Sequence, residues 1–210
     1  MTAPGIPMIF QGQEMLDTRL FGDTTPVDWS MTNTFRGITR LYRDLAYLRR
    51  NLGGATAGLA GYFTSCSVTN DSTLLLVRRG IDGDPSRDVF IIANVSSNYV
   101  PGYWINFPTN GMWHTHFNSD DLAYSPDYQS WGSASAFAWE DNRGDVYLAP
   151  WSVLVLSRQA PGPADADRDG LPDAWEKEKG LNPADDKDGP LDRDGDGYTN
   201  LEEYLNFLTP

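Results

Sequence analysis

Two acidic segments in the last quarter of the chain carry oxygen-bearing side chains at a regular spacing. They span residues 165–176, the first loop, and residues 192–203, the second loop. A hard divalent cation such as Ca²⁺ takes six to eight oxygen ligands, and a twelve-residue loop supplies them from positions 1, 3, 5, 7, 9 and 12, with glycine at position 6 for a sharp turn. Both loops meet this template, with Gly170 and Gly197 at the sixth position. The sequence therefore predicts two calcium sites.

The predicted ligands are carboxylate, amide and main-chain carbonyl oxygens. Those of the first loop are Asp165, Asp167, Asp169, the carbonyl of Leu171, Asp173 and Glu176. Those of the second loop are Asp192, Asp194, Asp196, the carbonyl of Tyr198, Asn200 and Glu203. One match in an acidic sequence can be accidental, but two complete matches, each running into an apolar helix start, argue against a merely solvated run of charge. This tail has few apolar residues, so we expect its folding to depend on the metal.

The tail lacks the entering helix of an EF-hand, because proline and glycine precede both loops. With its Gly-Leu-Asn-Pro tract at 180–183 and its ending at 200–204, it resembles the calcium-binding repeats of dockerins and of thrombospondin type 3 repeats. That resemblance implies an extracellular or cell-surface bacterial protein and a cohesin-like or other cell-surface partner for the tail. It also implies weaker metal ligands outside the loops, namely Asp185, Asp186 and Asp188.

Charge and composition exclude several classes of function. The net charge is −13, and residues 161–210 hold fourteen Asp and Glu against five Lys and Arg. No segment supplies the basic surface that nucleic acid or an anionic membrane requires. No apolar run is long enough to insert across a membrane. Cys66 is the only cysteine, which excludes an intramolecular disulfide and a cysteine-rich metal site.

The elements that precede the tail divide into two parts. Residues 1–52 predict an apolar strand at 6–10 and an amphipathic helix over 34–52, and a single strand with a single helix cannot close a core. Residues 53–159 predict an antiparallel β-sandwich, residues 160–164 a linker, and residues 165–210 a small helical calcium module. The fold class is therefore mainly β.

Short runs of β-forming residues separated by turn signals define the sandwich. We expect its long polar stretch, residues 118–145, to be a surface excursion. The predicted strands are 62–68, 73–79, 89–96, 103–107, 112–117 and 146–157.

The N-terminal run from Gly5 to Glu14 has the form G-x-P-x-x-[FY]-x-G-x-E. It resembles the segment at the eighth strand of the (β/α)₈ barrel in the α-amylase family, glycoside hydrolase family 13. Within that family, its Gln-Gly-Gln-Glu tetrapeptide is most similar to that of α-glucan branching enzymes. Val27-Asp28-Trp29 resembles the stretch before the last barrel helix of those enzymes, and residues 34–52 match that helix.

Four segments of the β region, 89–94, 111–113, 117–120 and 148–156, resemble the C-terminal β-domain of the same family. The resemblance covers residues 2–158 and implies the C-terminal portion of an α-glucan-active enzyme that starts inside the catalytic barrel. In that family the catalytic carboxylates stand on earlier barrel strands, so we expect no catalytic residue here and no activity from this chain alone. A branching enzyme is favoured over an α-amylase, although upstream loops decide between water and a sugar as acceptor.

The alternative from another class is a non-catalytic module that binds polysaccharide or attaches the protein to a cell surface. Two further groups of residues bear on it. His114 and His116 share a strand face and are either transition-metal ligands or polar surface residues. We favour the surface role. The aromatic residues of the excursion either stack on sugars or pack the loop against the sandwich, and we favour the packing role. They are Tyr124, Tyr128, Trp131 and Trp139.

Overall fold

The computed structural model describes residues 1–20, 22–69, 71, 73–81, 83–163, 165–167 and 169–207. The chain forms two compact units, Met1–Pro161 and Gly162–Pro210. Ala164, in the predicted linker, and residues 208–210, at the end of the predicted calcium module, lie outside the described residues. Within the described part, no helix is both long enough and apolar enough to span a bilayer.

The N-terminal segment differs from its prediction at the strand. Residues 6–10 form no β-strand among the described residues, and Ile6 and Met8 are 97% and 91% exposed. A β-strand needs a neighbour to satisfy its main-chain N–H and C=O groups, and none of the described strands lies beside this run. The prediction of a strand at 6–10 was therefore wrong for this structure.

The amphipathic helix is present with different bounds. It consists of a short helix α1, Met31–Thr34, and a longer helix α2, Arg36–Arg49. Phe35 interrupts them because its backbone, at φ −113° and ψ 44°, is not helical. The helix ends before residue 52 because Asn51 takes the left-handed conformation, at φ 54°.

In the described part of the chain, eight antiparallel strands follow and form two sheets. They are β1 (Phe63–Val68), β2 (Leu74–Gly80), β3 (Val89–Asn94), β4 (Val100–Asn106), β5 (Gly111–Asn118), β6 (Ser135–Ala138), β7 (Arg143–Leu148) and β8 (Val153–Ser157). The large sheet has the order β1-β2-β3-β8-β5-β6, and β4 pairs with β7 in a second sheet. The prediction of a mainly antiparallel β fold is confirmed.

Two details of the strand prediction were wrong. Residues 118–145 are not wholly a surface excursion, because they contain β6 and the start of β7. Residues 146–157 are not one strand: Trp151, at φ 52°, lies in the turn that reverses the chain between β7 and β8. A left-handed residue cannot continue a strand, so the apolar run divides there.

The large sheet separates two apolar cores. One core lies between the two sheets and contains Phe90 and Ile92 of β3 with Ile105 of β4 and Val146 of β7. The other lies on the opposite face and contains Val89 and Ile91 of β3, Phe117, Tyr124 and Leu48 of α2. Alternate residues of β3 thus face different cores, as the two-residue period of a strand requires. Helix α2 is therefore packed onto the β domain.

A buried polar contact accompanies this packing. Asp44 of α2 is fully buried, and its Oδ2 accepts a hydrogen bond of 2.6 Å from the Tyr124 hydroxyl. Gly37 of α2 approaches the same loop so closely that a Cβ there would lie 1.7 Å from the Tyr124 carbonyl oxygen. The helix is thus held to the loop after β5 by shape and by one strong hydrogen bond.

Replacing Tyr124 by Phe should weaken this attachment. The ring still fills its place, and the Asp44 carboxylate keeps its ion pair with Arg40 but loses the hydroxyl donor, which costs about 1.5–3 kcal/mol of the free energy of unfolding. Urea denaturation followed by tryptophan fluorescence measures the loss. Tyr62→Phe, at a side chain 84% exposed, is the matched control. Equal stability of the two variants would contradict this role for Tyr124.

Candidate metal centre

The first loop brings its three aspartates together. One carboxylate oxygen of each of Asp165, Asp167 and Asp169 lies within 4.8 Å of the others. The loop is curled by its own side chains, since the Gly170 amide donates to Asp165 Oδ2 at 3.2 Å and the Leu171 amide donates to Asp169 Oδ1 at 2.8 Å. Gly170 has a φ of 105°, a conformation open to glycine alone at little cost.

Helix α3, Asp173–Lys179, carries Glu176, which interacts electrostatically with the aspartates of this cluster. Glu176 is fully buried, and neither of its carboxylate oxygens has a hydrogen-bond partner among the described residues. Burial, reinforced by the charges of Asp167, Asp169, Asp188 and Asp165, raises its pKa from the ordinary 4.5 to about 7. A buried carboxylate without a donor is costly unless a cation compensates it.

A fifth carboxylate reaches the cluster from outside the loop. Asp188 is 8% exposed; its Oδ2 accepts the Asn182 amide at 3.0 Å, while its Oδ1 is buried without a hydrogen-bond partner among the described residues. Burial and the nearby Asp188 charge both raise the pKa values of Asp167 and Asp169. Asp185 is turned elsewhere, since its Oδ1 accepts the Lys187 amide.

The remaining predicted positions of the first loop differ in role. Asp173 Oδ1 accepts the Ala166 amide at 2.7 Å, so this side chain closes the loop back on itself. The Leu171 side chain is fully buried and anchors the loop.

The second loop is more open. Carboxylate oxygens of Asp192, Asp194 and Asp196 also lie within 4.8 Å of one another, but all three residues are exposed. Asn200 is buried and its side-chain amide donates to the Asp188 carbonyl at 2.7 Å. Glu203 does not belong to the cluster in the described structure. None of the buried carboxylate oxygens without a partner comes from this loop.

The first loop therefore offers a cation buried carboxylate oxygens, whereas the aspartates of the second loop are exposed. The first combines five acidic side chains, of which Glu176 and Asp188 carry buried oxygens without partners. An all-oxygen, anionic donor set suits a hard cation such as Ca²⁺ or Mg²⁺ and not a soft metal that prefers thiolate. In the second loop the Tyr198 amide donates to Asp196 Oδ1 at 2.9 Å, while the Asn200 side chain is turned to the Asp188 carbonyl.

The other singled-out residues have structural surroundings. His116 Nε2 lies 2.9 Å from Ser157 Oγ and 3.1 Å from the Gln159 carbonyl oxygen, and burial lowers its pKa. His114 and His116 belong to no cluster of three potential ligands in the described part. Tyr124 and Tyr128 pack against the core near α2, which favours the prediction that they hold the loop to the sandwich. Trp131 and Trp139 are about half exposed, at 48% and 59%.

Comparison with known proteins finds relatives of the β domain. Residues 63–159 match the family described as the α-amylase C-terminal all-beta domain. A 1,4-alpha-glucan branching enzyme of Bradyrhizobium sp. (strain ORS 278) is 28% identical over 165 residues, which cover 75% of this chain and 22% of that enzyme. A branching enzyme of Paramagnetospirillum magneticum is 31% identical over 136 residues, covering 59% of this chain and 17% of the relative.

A solved structure, the crystal structure of AmyP in complex with maltose, matches with a TM-score of 0.37 and 12% identity, over 68% of this chain and 24% of that one. The chain spans about a fifth of the length of the branching enzymes that it matches. The resemblance to branching enzymes that the sequence suggested is thus confirmed at the level of homology. Residues 63–159, which hold the eight strands β1–β8, are thus similar to the α-amylase C-terminal all-beta domain.

Proposed function

We propose that this chain serves as the C-terminal part of an α-glucan-active enzyme of the α-amylase family, of the branching-enzyme type. The observation that carries the proposal is the similarity to branching enzymes over 165 residues, a stretch longer than the matched β domain, 63–159. The similarity therefore extends beyond a β domain that many enzymes share. We infer a supporting and positioning role for this chain, with the catalytic carboxylates on other strands of the barrel.

The exposed apolar residues of the N-terminal segment support this role. Soluble proteins rarely expose large apolar side chains in groups unless a partner covers them. The exposed side chains here include Ile6, Met8, Leu20 and Trp29, at 97%, 91%, 91% and 68%. We infer that this face packs against other strand-helix units of a (β/α)₈ barrel. Residues 6–10 would then gain the strand neighbours that they lack among the described residues.

For the tail we propose structural calcium binding. Asp165, Asp167, Asp169 and Glu176 would hold the ion in the first loop, with Asp188 as a further carboxylate beside them. Calcium would supply positive charge to a cluster of carboxylates that repel one another, and its binding free energy would stabilise the folded tail. The second loop would be ordered by a second ion. An extracellular setting and a cell-surface partner for the tail remain part of this proposal.

The coding sequence upstream of Met1 tests the enzyme proposal. We expect the same reading frame to continue upstream and to encode seven further strand-helix units, with two aspartates and a glutamate at strand ends. We also expect the chain by itself to leave amylose unchanged, as measured by iodine absorbance. An in-frame stop codon directly upstream, with a ribosome-binding site before Met1, would contradict the enzyme proposal.

Calcium affinity of the first loop should rise with pH. Because the pKa of Glu176 is raised to about 7, the metal-free side chain holds a proton at lower pH that calcium must displace. We expect affinity to fall about tenfold from pH 8 to pH 6, with proton release seen by calorimetry in buffers of different ionisation enthalpy. Without metal, the tail should lose stability as pH rises from 4.5 towards 7, because the unfolded state has already released that proton. A calcium affinity independent of pH would argue against Glu176 as a ligand.

Replacing Glu176 by Gln separates the two roles of its charge. The variant should fold as well as the parent protein, or better, in chelator, because one buried charge is gone, yet its first site should bind calcium at least about tenfold more weakly. Glu178→Gln, on the exposed face of α3, is the matched control and should change neither property. Equal loss of calcium affinity in both variants would point to net charge and not to a site.

A further inference from the structure

Two exposed indoles line one cleft near the end of the small sheet. Trp104 of β4 is 50% exposed and Trp139, between β6 and β7, is 59% exposed, whereas Trp113 of β5 is fully buried. With Glu140 and Asp141 they line a cleft of about 520 Å³. The cleft is shallow and open to solvent, a shape that suits an extended polymer better than an enclosed small molecule. Indoles left in water forgo the free energy of burial, so a paired set at one cleft indicates a binding surface.

The strand pairing holds Trp104 in place. Its neighbour Ile105 points into the core between the sheets, so Trp104 stands on the outer face of β4, opposite Asp145 of β7. The Arg143 guanidinium carbon lies 5.7 Å from the centroid of the Trp104 ring. A cation at this distance attracts the ring face and restricts the indole.

Trp139 is held by its turn. Its amide donates to the Arg143 carbonyl at 2.9 Å, and its own carbonyl accepts the Asn142 amide at 2.8 Å. Its ring contacts Phe137 edge-on, with centroids 5.2 Å apart at 78°. Both indoles are therefore positioned before any ligand arrives, which lowers the entropy cost of binding.

The composition of the cleft selects one ligand chemistry. Aromatic faces pack against apolar C–H surfaces, and carboxylates accept hydrogen bonds from hydroxyl groups, so the combination suits a neutral polyhydroxyl ligand. The exposed acids Glu140 and Asp141 repel anions such as phosphate or nucleic acid. A cationic ligand is disfavoured at Trp104 because Arg143 already lies over that ring.

We propose that this cleft, lined by Trp104, Trp139, Glu140 and Asp141, binds a segment of α-glucan chain. The choice of glucan among neutral polyhydroxyl ligands rests on the proposed function. The cleft would hold the polymer on the outer face of the β4–β7 sheet. In this arrangement the β domain contributes substrate retention as well as support.

Native gel electrophoresis of the full chain, with and without glycogen in the gel, tests the proposal. We expect glycogen to retard the parent protein, and Trp104→Ala and Trp139→Ala each to weaken binding about tenfold. Trp151→Ala is the matched control, because this indole is 69% exposed but follows the opposite end of β7. It should bind as the parent protein does, and urea midpoints should show that every variant is folded.

Three results would overturn the proposal: no retardation of the parent protein by glycogen, equal weakening by Trp151→Ala, or retardation by hydroxyethylcellulose or polylysine in place of glycogen. None of them would remove the proposed function, since a supporting domain needs no glucan site of its own. A stop codon directly upstream of Met1 would conversely remove the enzyme proposal and leave glycogen retardation intact. The two failures are therefore distinguishable.

Discussion

Burial of the central strands β3 and β8 on both faces is the constraint on which the first unit depends. Phe90, Ile92 and Leu154 face the core between the two sheets, while Ile91 and Val155 face the core beneath α2. A strand pair that is apolar on both sides is stable only when both sides are covered. The helix is therefore needed to cover the second apolar face of the β domain.

The tail obeys a different constraint. Its buried apolar side chains are Leu171 and Trp175 among the described residues, and Trp175 meets Tyr204 with ring centroids 5.5 Å apart. Beside this small core stands a cluster of carboxylates that raise one another's pKa values. Because so little apolar surface is buried beside these carboxylates, we propose that a bound cation offsets their repulsion. On this proposal the chain combines a domain stabilised by apolar burial with a module stabilised by a metal.

The sequence alone predicted the structural features that depend on the local pattern of residues. The apolar runs at β3 and β8 and the spacing of the first loop are visible in the residues themselves. Features set by distant partners were missed: the run at 6–10 has strand composition without a neighbour, and the short strand β6, Ser135–Ala138, lies within polar sequence. Asp188 reaches the first loop because the Asn182 amide holds it, and the pairing of β4 with β7 brings Trp104 to the same cleft as Trp139. Neither arrangement leaves a spacing signal in the sequence.

Amide hydrogen exchange, measured by mass spectrometry on the full chain in excess chelator and in millimolar calcium, tests the metal dependence of the tail most directly. We expect peptides covering α3, Asp173–Lys179, to exchange rapidly in chelator and at least about tenfold more slowly with calcium. Peptides of β3 and β8 should be protected equally in both. Full protection of α3 in chelator, unchanged by calcium, would contradict a tail that folds around the metal.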